Sequence, residues 1–190
     1  MKFIVSKKPK EYLEQGLTQC GAYSVKAVLS VYDKDEKKHP REYQPNFFSR
    51  YLGMSTNPHL WPRVLRAYGV SAEEDYTANL SDAERLTLLR SLLDDNHPIM
   101  LRIGNGYAKS GTYHSSVAYF VGHWISLWDY DDEKQIFYVY DSYVALARHD
   151  KTIPIGNTTR TYAEILRDWG KGFPFAWRVE VWIYKSCLTP

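Results

Sequence analysis

The sequence predicts an α+β fold: a helical lobe over about residues 10–97 packed on an antiparallel β-sheet lobe over about 98–186, with a cleft between them. Two patterns and one bound predict it. Apolar residues recur at helical spacing in the first half, whereas from Pro98 onward β-branched and aromatic runs alternate with polar turns. Helices first and strands second is an α+β arrangement. A chain of 190 residues fits one domain, 1–190, with enough mass to bury a core.

Each element has a local reason. Residues 1–14 read as a short strand or arm. Cys20 to Tyr32 is a helix, its apolar residues at 25, 28, 29 and 32 lying on one face. The mixed-charge loop 33–41 follows, then a short helix at 42–52 around Phe47, Phe48 and Tyr51 with Gly53 as its cap. Leu60 to Tyr68 is helical and closed by Gly69. Ser81 and Glu84 have the spacing of a capping box, opening a helix to Leu93 with an apolar face at 86, 89, 92 and 93. Strands are expected at 98–103, 114–121, 123–130 and 135–141, a helix at 161–169, and a last strand at 177–184 with clean alternation.

Composition excludes several function classes. The chain carries 24 basic and 22 acidic residues, a net charge of +2, which gives no electrostatic case for nucleic acid. Two cysteines without paired spacing exclude a zinc ribbon and a disulfide framework. The acidic turn from Asp129 to Glu133 lacks the glycine and distal glutamate of a calcium loop, so it reads as a solvated hairpin tip. No stretch approaches the roughly 20 apolar residues of a membrane span, and the N-terminus lacks an apolar core of signal-peptide length. The expected residence is cytoplasmic, with export by a route that needs no cleaved signal left open. Aromatics at 15%, including six tryptophans and sixteen tyrosines, suit a core finished with amphipathic rings and an aromatic-lined groove.

Three side chains stand out as candidate chemistry: Cys20, His123 and Asp141, in the order nucleophile, base, orienting acid. The hairpin joins the last two. If its turn centres near Asp132, opposed residues have numbers summing to about 264, so His123 and Asp141 face each other. An aspartate there accepts a hydrogen bond from one imidazole nitrogen and leaves the other for a thiol. His114 is the alternative base. Pairing it with Asp141 would centre the turn inside the apolar run at Leu127 and Trp128. Cys20 opens its helix, where unpaired N–H groups and the macrodipole lower a thiol pKa. An oxyanion needs donors, which the Cys20 N–H and an upstream amide can supply. Gln15, five residues ahead, has room to loop back, whereas the side chain of the adjacent Gln19 is expected to point elsewhere. Gly21 leaves the approach to the sulfur uncluttered. Cys187, with no histidine or acid arranged around it, reads as a bystander, although the sequence alone does not exclude its pairing with Cys20.

At these residues the chain resembles the papain-like cysteine peptidases, most closely the branch of bacteriocin-leader-cleaving peptidase domains and their stand-alone relatives. The similar motifs are Gln15 followed by Cys20-Gly21, the proline-led strand from Pro98, Gly122-His123-Trp124, and the hairpin ending in Asp141. Trp61 to Val70 and Thr161 to Trp169 look like two further helices of that branch, so the likeness spans roughly residues 15–170. The resemblance implies a papain-like fold, a Cys-His-Asp triad, no cofactor, no metal, and a protein or peptide substrate. There are departures. The oxyanion glutamine of the branch usually sits six residues before the cysteine, where this chain has Glu14. The stretch 104–121 is longer than the minimal loop and suits a substrate lid or an extra strand. The His-Trp and Asp-Ser pairs also look like ubiquitin-like-protein peptidases, but there the histidine precedes the cysteine.

The expected activity is therefore cleavage of a peptide or isopeptide bond through a thioester intermediate. Glutamine deamidation, amide hydrolysis and acyl transfer use the same triad, and an inactive papain-like binding module would keep only the fold. Oligomeric state is not legible in the sequence, and neither a nucleic-acid nor a membrane partner is expected.

Overall fold

The computed structural model describes residues 7–34, 38–44, 47–52, 60–77, 79–172 and 182–188. Its centre is one six-stranded antiparallel sheet in the order β1-β6-β2-β3-β4-β5, formed by β1 (Val70–Tyr76), β2 (Ile99–Gly104), β3 (Gly122–Asp131), β4 (Ile136–Tyr140), β5 (Thr158–Thr161) and β6 (Trp182–Leu188). Helix α1 (Cys20–Val31) packs on β3, and almost every residue of it is buried. An amphipathic helix would leave one face in water. This one lies between the sheet, a 3-10 turn at Pro40–Tyr43 and α3 (Leu60–Ala67), which accounts for its apolar-all-round character.

Most helical expectations hold with small shifts of boundary. The helix expected at 42–52 is shorter: α2 covers Phe47–Leu52, Pro40–Tyr43 form the separate 3-10 turn, and the Gly53 cap lies outside the described residues. Gly69 follows α3 with φ of +75°, the left-handed conformation that closes a helix end and that glycine adopts without steric cost. At α4 (Asp82–Asp94) the Ser81 and Glu84 side chains exchange hydrogen bonds with each other's backbone N–H groups, as the capping box requires. Leu89 and Leu93 are fully buried on its inner face. Thr161 and Glu164 form the same box at α6 (Tyr162–Asp168).

Three expectations are corrected. Residues 114–121 form helix α5 (Ser115–Phe120), not a strand. Its β-branched and aromatic residues matched strand composition, but only Ala118 turns inward, and Val117, Tyr119 and Phe120 are exposed. Two strands were also missed, β1 and β5, which lie at the two edges of the sheet. Because β1 comes from the first half of the chain, the sheet draws on both halves rather than on the second alone. The last strand covers residues 182–188, and 177–181 lie outside the described residues, as do 1–6 of the expected N-terminal arm; residues 7–19 form neither helix nor strand.

The core runs between α1, α3, α4 and the sheet, with Trp61, Leu29, Leu65, Ile99, Leu101 and Trp128 among its buried side chains. Gly21 shapes it at one point. A Cβ there would fall inside the Trp61 indole, so glycine lets helix and ring close together. No helix among the described residues is long and apolar enough to cross a membrane.

Candidate active site

Cys20 is the first residue of α1, half-buried and free of any disulfide. Gln19, just before it, takes φ of +81°, an uncommon conformation for a non-glycine residue that turns the chain into the helix. The sulfur accepts hydrogen bonds from the backbone N–H groups of Gly21 and Trp124 and is paired with the His123 side chain. Burial alone pushes the thiol up. The His123 hydrogen bond and charge, together with the two N–H groups, outweigh it and set the pKa below its ordinary 9.0.

His123 and Asp141 meet, though not through the expected register. Around the hairpin tip Asp131 pairs with Ile136 and Asp129 with Tyr138, so paired numbers sum to 267 rather than 264. Extended inward, that register would set Asp141 opposite Ser126, three residues from His123 and so on the other face from it. A β-bulge between Leu127 and Asp129 shifts the sum to 266, as in Ser126 with Tyr140. One residue further, Asp141 lies opposite Ile125. His123 is then two positions away on the same face, a diagonal neighbour within side-chain reach.

The reach is used. His123 Nε2 lies 2.7 Å from Asp141 Oδ1, both side chains being buried, and this leaves Nδ1 for the thiol. Burial pushes the imidazolium down, but the charge and hydrogen bond of Asp141, followed by those of Cys20, raise His123 from 6.5 to about 10. For Asp141 burial pushes up, while His123 and then Arg160 carry it well below the ordinary carboxylate range. These shifts all favour one charge order, a thiolate beside an imidazolium beside a carboxylate. Such an array can hold a nucleophile and a proton donor side by side.

Gln15 is bonded to Ser142, the residue after Asp141. Tyr12 and Leu13 fasten its segment to the sheet, the Tyr12 hydroxyl accepting from Gly156 N–H and the Leu13 carbonyl from the Tyr140 hydroxyl. Gln15 N–H donates to the Ser142 carbonyl at 2.8 Å, and its Oε1 accepts from Ser142 Oγ at 2.5 Å. Fixing Oε1 orients the amide nitrogen, which has no hydrogen-bond partner among the described residues. Gln19 points elsewhere, its Nε2 donating to the Arg50 carbonyl. His114 is solvent-exposed at the N-terminal end of α5, and its side chain makes no hydrogen bond to Asp141. The side chain of Cys187 lies outside what is described.

Four residues at the site were not singled out from the sequence. Arg160, from edge strand β5, places Nη2 2.8 Å from Asp141 Oδ2. Tyr143 N–H donates to Oδ1 at 2.9 Å, and its ring meets the His123 ring edge-on at 6.1 Å between centroids. Asn157 clamps the Asp141 backbone from both sides, accepting from its N–H at 2.9 Å and donating to its carbonyl at 3.0 Å. Ser142, noted only as a neighbour of Asp141, reaches across to Gln15. These partners sit on loops and edge strands whose sequences carry no periodic signal. Only the adjacency of Tyr143 and Ser142 to Asp141 could have suggested them.

Comparison with known proteins bears on the fold and the family. A solved double-glycine-motif protease from an AMS/PCAT transporter, in complex with a leader peptide, superposes with a TM-score of 0.52 at 14% identity, over 96% of this chain and 97% of that one. At that identity the likeness speaks to the fold, which is papain-like. No curated protein matches the sequence. The Peptidase_C39-like family matches residues 5–180. With nearly the whole chain inside that match, the protein belongs to the Peptidase_C39-like family and is a cysteine peptidase-like hydrolase.

Proposed function

We propose that the protein cleaves a peptide bond by thiol catalysis, with Cys20 as nucleophile, His123 as general acid and base, and Asp141 as the orienting acid, all within a single domain. The observation that carries this is the buried His123 ring, bonded to the thiol on one side and to a carboxylate on the other. The Cys20 thiolate attacks the scissile carbonyl carbon and a C–S bond forms. The negative charge moves to the carbonyl oxygen, where the Cys20 N–H and Gln15 Nε2 donate to it. Neither donor has another hydrogen-bond partner among the described residues. The His123 imidazolium then protonates the departing amine, leaving a thioester on Cys20. Neutral His123 takes a proton from water as that water attacks the thioester, and release of the acid restores the thiolate–imidazolium pair.

The substrate we propose is an extended peptide with small residues at the cut. The structural neighbour's complex with a leader peptide supports a peptide in the cleft. The test is cleavage of a double-glycine leader peptide, read by mass spectrometry, with the wild-type protein and Cys20→Ala. Cleavage by the wild type alone is expected. Cleavage that survives in Cys20→Ala, or a Cys20 that iodoacetamide alkylates no faster than a free thiol at pH 6, overturns the assignment.

A further inference from the structure

The Asp141 carboxylate has two cationic partners, one on each oxygen. His123 takes Oδ1 at 2.7 Å and Arg160 takes Oδ2 at 2.8 Å. All three are withdrawn from water, with His123 3%, Asp141 1% and Arg160 9% exposed. The guanidinium carbon lies over the Tyr107 ring, 3.8 Å from its centroid, and the Tyr107 hydroxyl donates to Glu164. The Nε of Arg160 is buried without a hydrogen-bond partner among the described residues. An unpaired polar atom accepted at that cost indicates that placement of Nη2 on the carboxylate fixes the side chain.

We propose that Arg160 is a positioning residue that balances the charge of the buried array, so that His123 gives its proton to the departing amine as Cys20 is acylated without leaving a net charge in the site. This rests on the triad proposed above. With thiolate, imidazolium, carboxylate and guanidinium the array is neutral. When His123 gives its proton to the departing amine, the acylated Cys20 and neutral imidazole leave Asp141 with Arg160 as its charged partner, and the array is neutral again. Without Arg160, each of these states would bury one uncompensated negative charge. The other charged groups near Arg160 lie beyond Tyr107 or across the pocket. Glu164 accepts from the Tyr107 hydroxyl and caps α6, acting on Arg160 through charge alone, and Arg167, paired with Asp168, donates to the same hydroxyl. Lys109 is paired with Glu14, and Arg148 donates to the Lys109 carbonyl across the pocket that Asp141 and Arg160 also line.

The sign of the effect separates this role from simple tethering. Removing a cation raises the pKa of every group it acts on, so both limbs of the Cys20 thiolate profile should move to higher pH in Arg160→Gln, the imidazolium limb by about one to two units. A tether alone would release the carboxylate from His123, and that limb would fall instead. The measurement is the rate of Cys20 carboxamidomethylation from pH 4 to 11, read on the Cys20 peptide, for wild type, Arg160→Gln and Arg160→Lys. Arg160→Lys keeps the charge, so its limbs should coincide with wild type. A Gln profile that superposes on wild type, or an alkaline limb that moves down, overturns the inference. If Arg160→Gln fails to fold, a shift of one unit in Arg160→Lys does so. Failure of the triad itself would show differently, as a wild-type profile with the single limb of an ordinary thiol.

Discussion

Asp141→Asn isolates the interaction on which the site's charge order depends. The carboxylate oxygen and the ring nitrogen are 2.7 Å apart, which sets the centres of the two charges roughly 4 Å apart. At the effective permittivity that describes protein sites, that separation is worth about 4 kcal/mol, or about three pH units. The rise of His123 from 6.5 to about 10 is of this size and is achieved against burial, which acts the other way. Asparagine keeps the shape and removes the charge. Burial and the neighbouring Arg160 cation then act on the imidazolium unopposed except by Cys20, and the His123 pKa should fall below 7. Alkylation of Cys20 by iodoacetamide should lose its plateau between neutrality and about pH 10, with the rate at pH 7 at least tenfold lower and an ordinary thiol limb in its place. Reading the Cys20 peptide by mass spectrometry keeps Cys187 out of the measurement. An Asn variant that keeps the wild-type plateau would refute the claim that Asp141 holds the proton on His123.

Further perturbations probe the surroundings. Gln15→Ala should lower turnover of a peptide substrate about 10²- to 10³-fold, the effect of removing one oxyanion donor, while the Cys20 alkylation rate stays within about twofold because the thiolate is formed elsewhere. Ser142→Ala, which frees Gln15 Oε1, should cost roughly tenfold in turnover, the equivalent of one modest hydrogen bond. Gly21→Ala should lower the urea unfolding free energy by about 1–3 kcal/mol, since a Cβ inside the Trp61 ring is overpacking that exceeds the helix-propensity gain. The Asp141 carboxyl is depressed below its ordinary 3.8, so its stabilisation is present above that pH and lost as pH falls through the folded value; Asp141→Asn should flatten the acid limb of stability below about pH 4, measured by urea titration.

The elements legible in the sequence were those that carry a periodic apolar face or a continuous apolar run. α4 is written as a capping box and an inward face at Leu89 and Leu93, and β2 and β3 as apolar runs between turns. β1 and β5 were illegible for a shared physical reason. Each is an edge strand with one open flank, where Glu73, or Thr158, Thr159 and Thr161, suit water and discourage further pairing. With few apolar residues in either segment, the alternation by which a strand is recognised is missing. Helix α5 failed differently: a segment of one and a half turns is too short for its period to separate helix from strand.

The site was legible as a set of residue types but not as a geometry. Cys20 at a helix start and an aspartate closing a hairpin were visible, and the expected pairing of His123 with Asp141 is observed, yet the register behind it was wrong by two or three residues. What brings the pair together is the bulge at Leu127–Asp129, because a shift of one residue exchanges the faces of a strand. No propensity marks that position. Trp128, which lies within the bulge, is fully buried and looks like any core aromatic. The bulge therefore has to be maintained by tertiary packing, and the alignment of His123 with Asp141 is a property of the folded core rather than of the hairpin alone. Arg160 follows the same logic, since it reaches Asp141 only because β5 pairs with β4 in the register that sets it opposite Phe137. Chemistry that depends on parity across strands is fixed by where the sheet slips, and a single sequence records the slip only through the volume of the side chains that fill it.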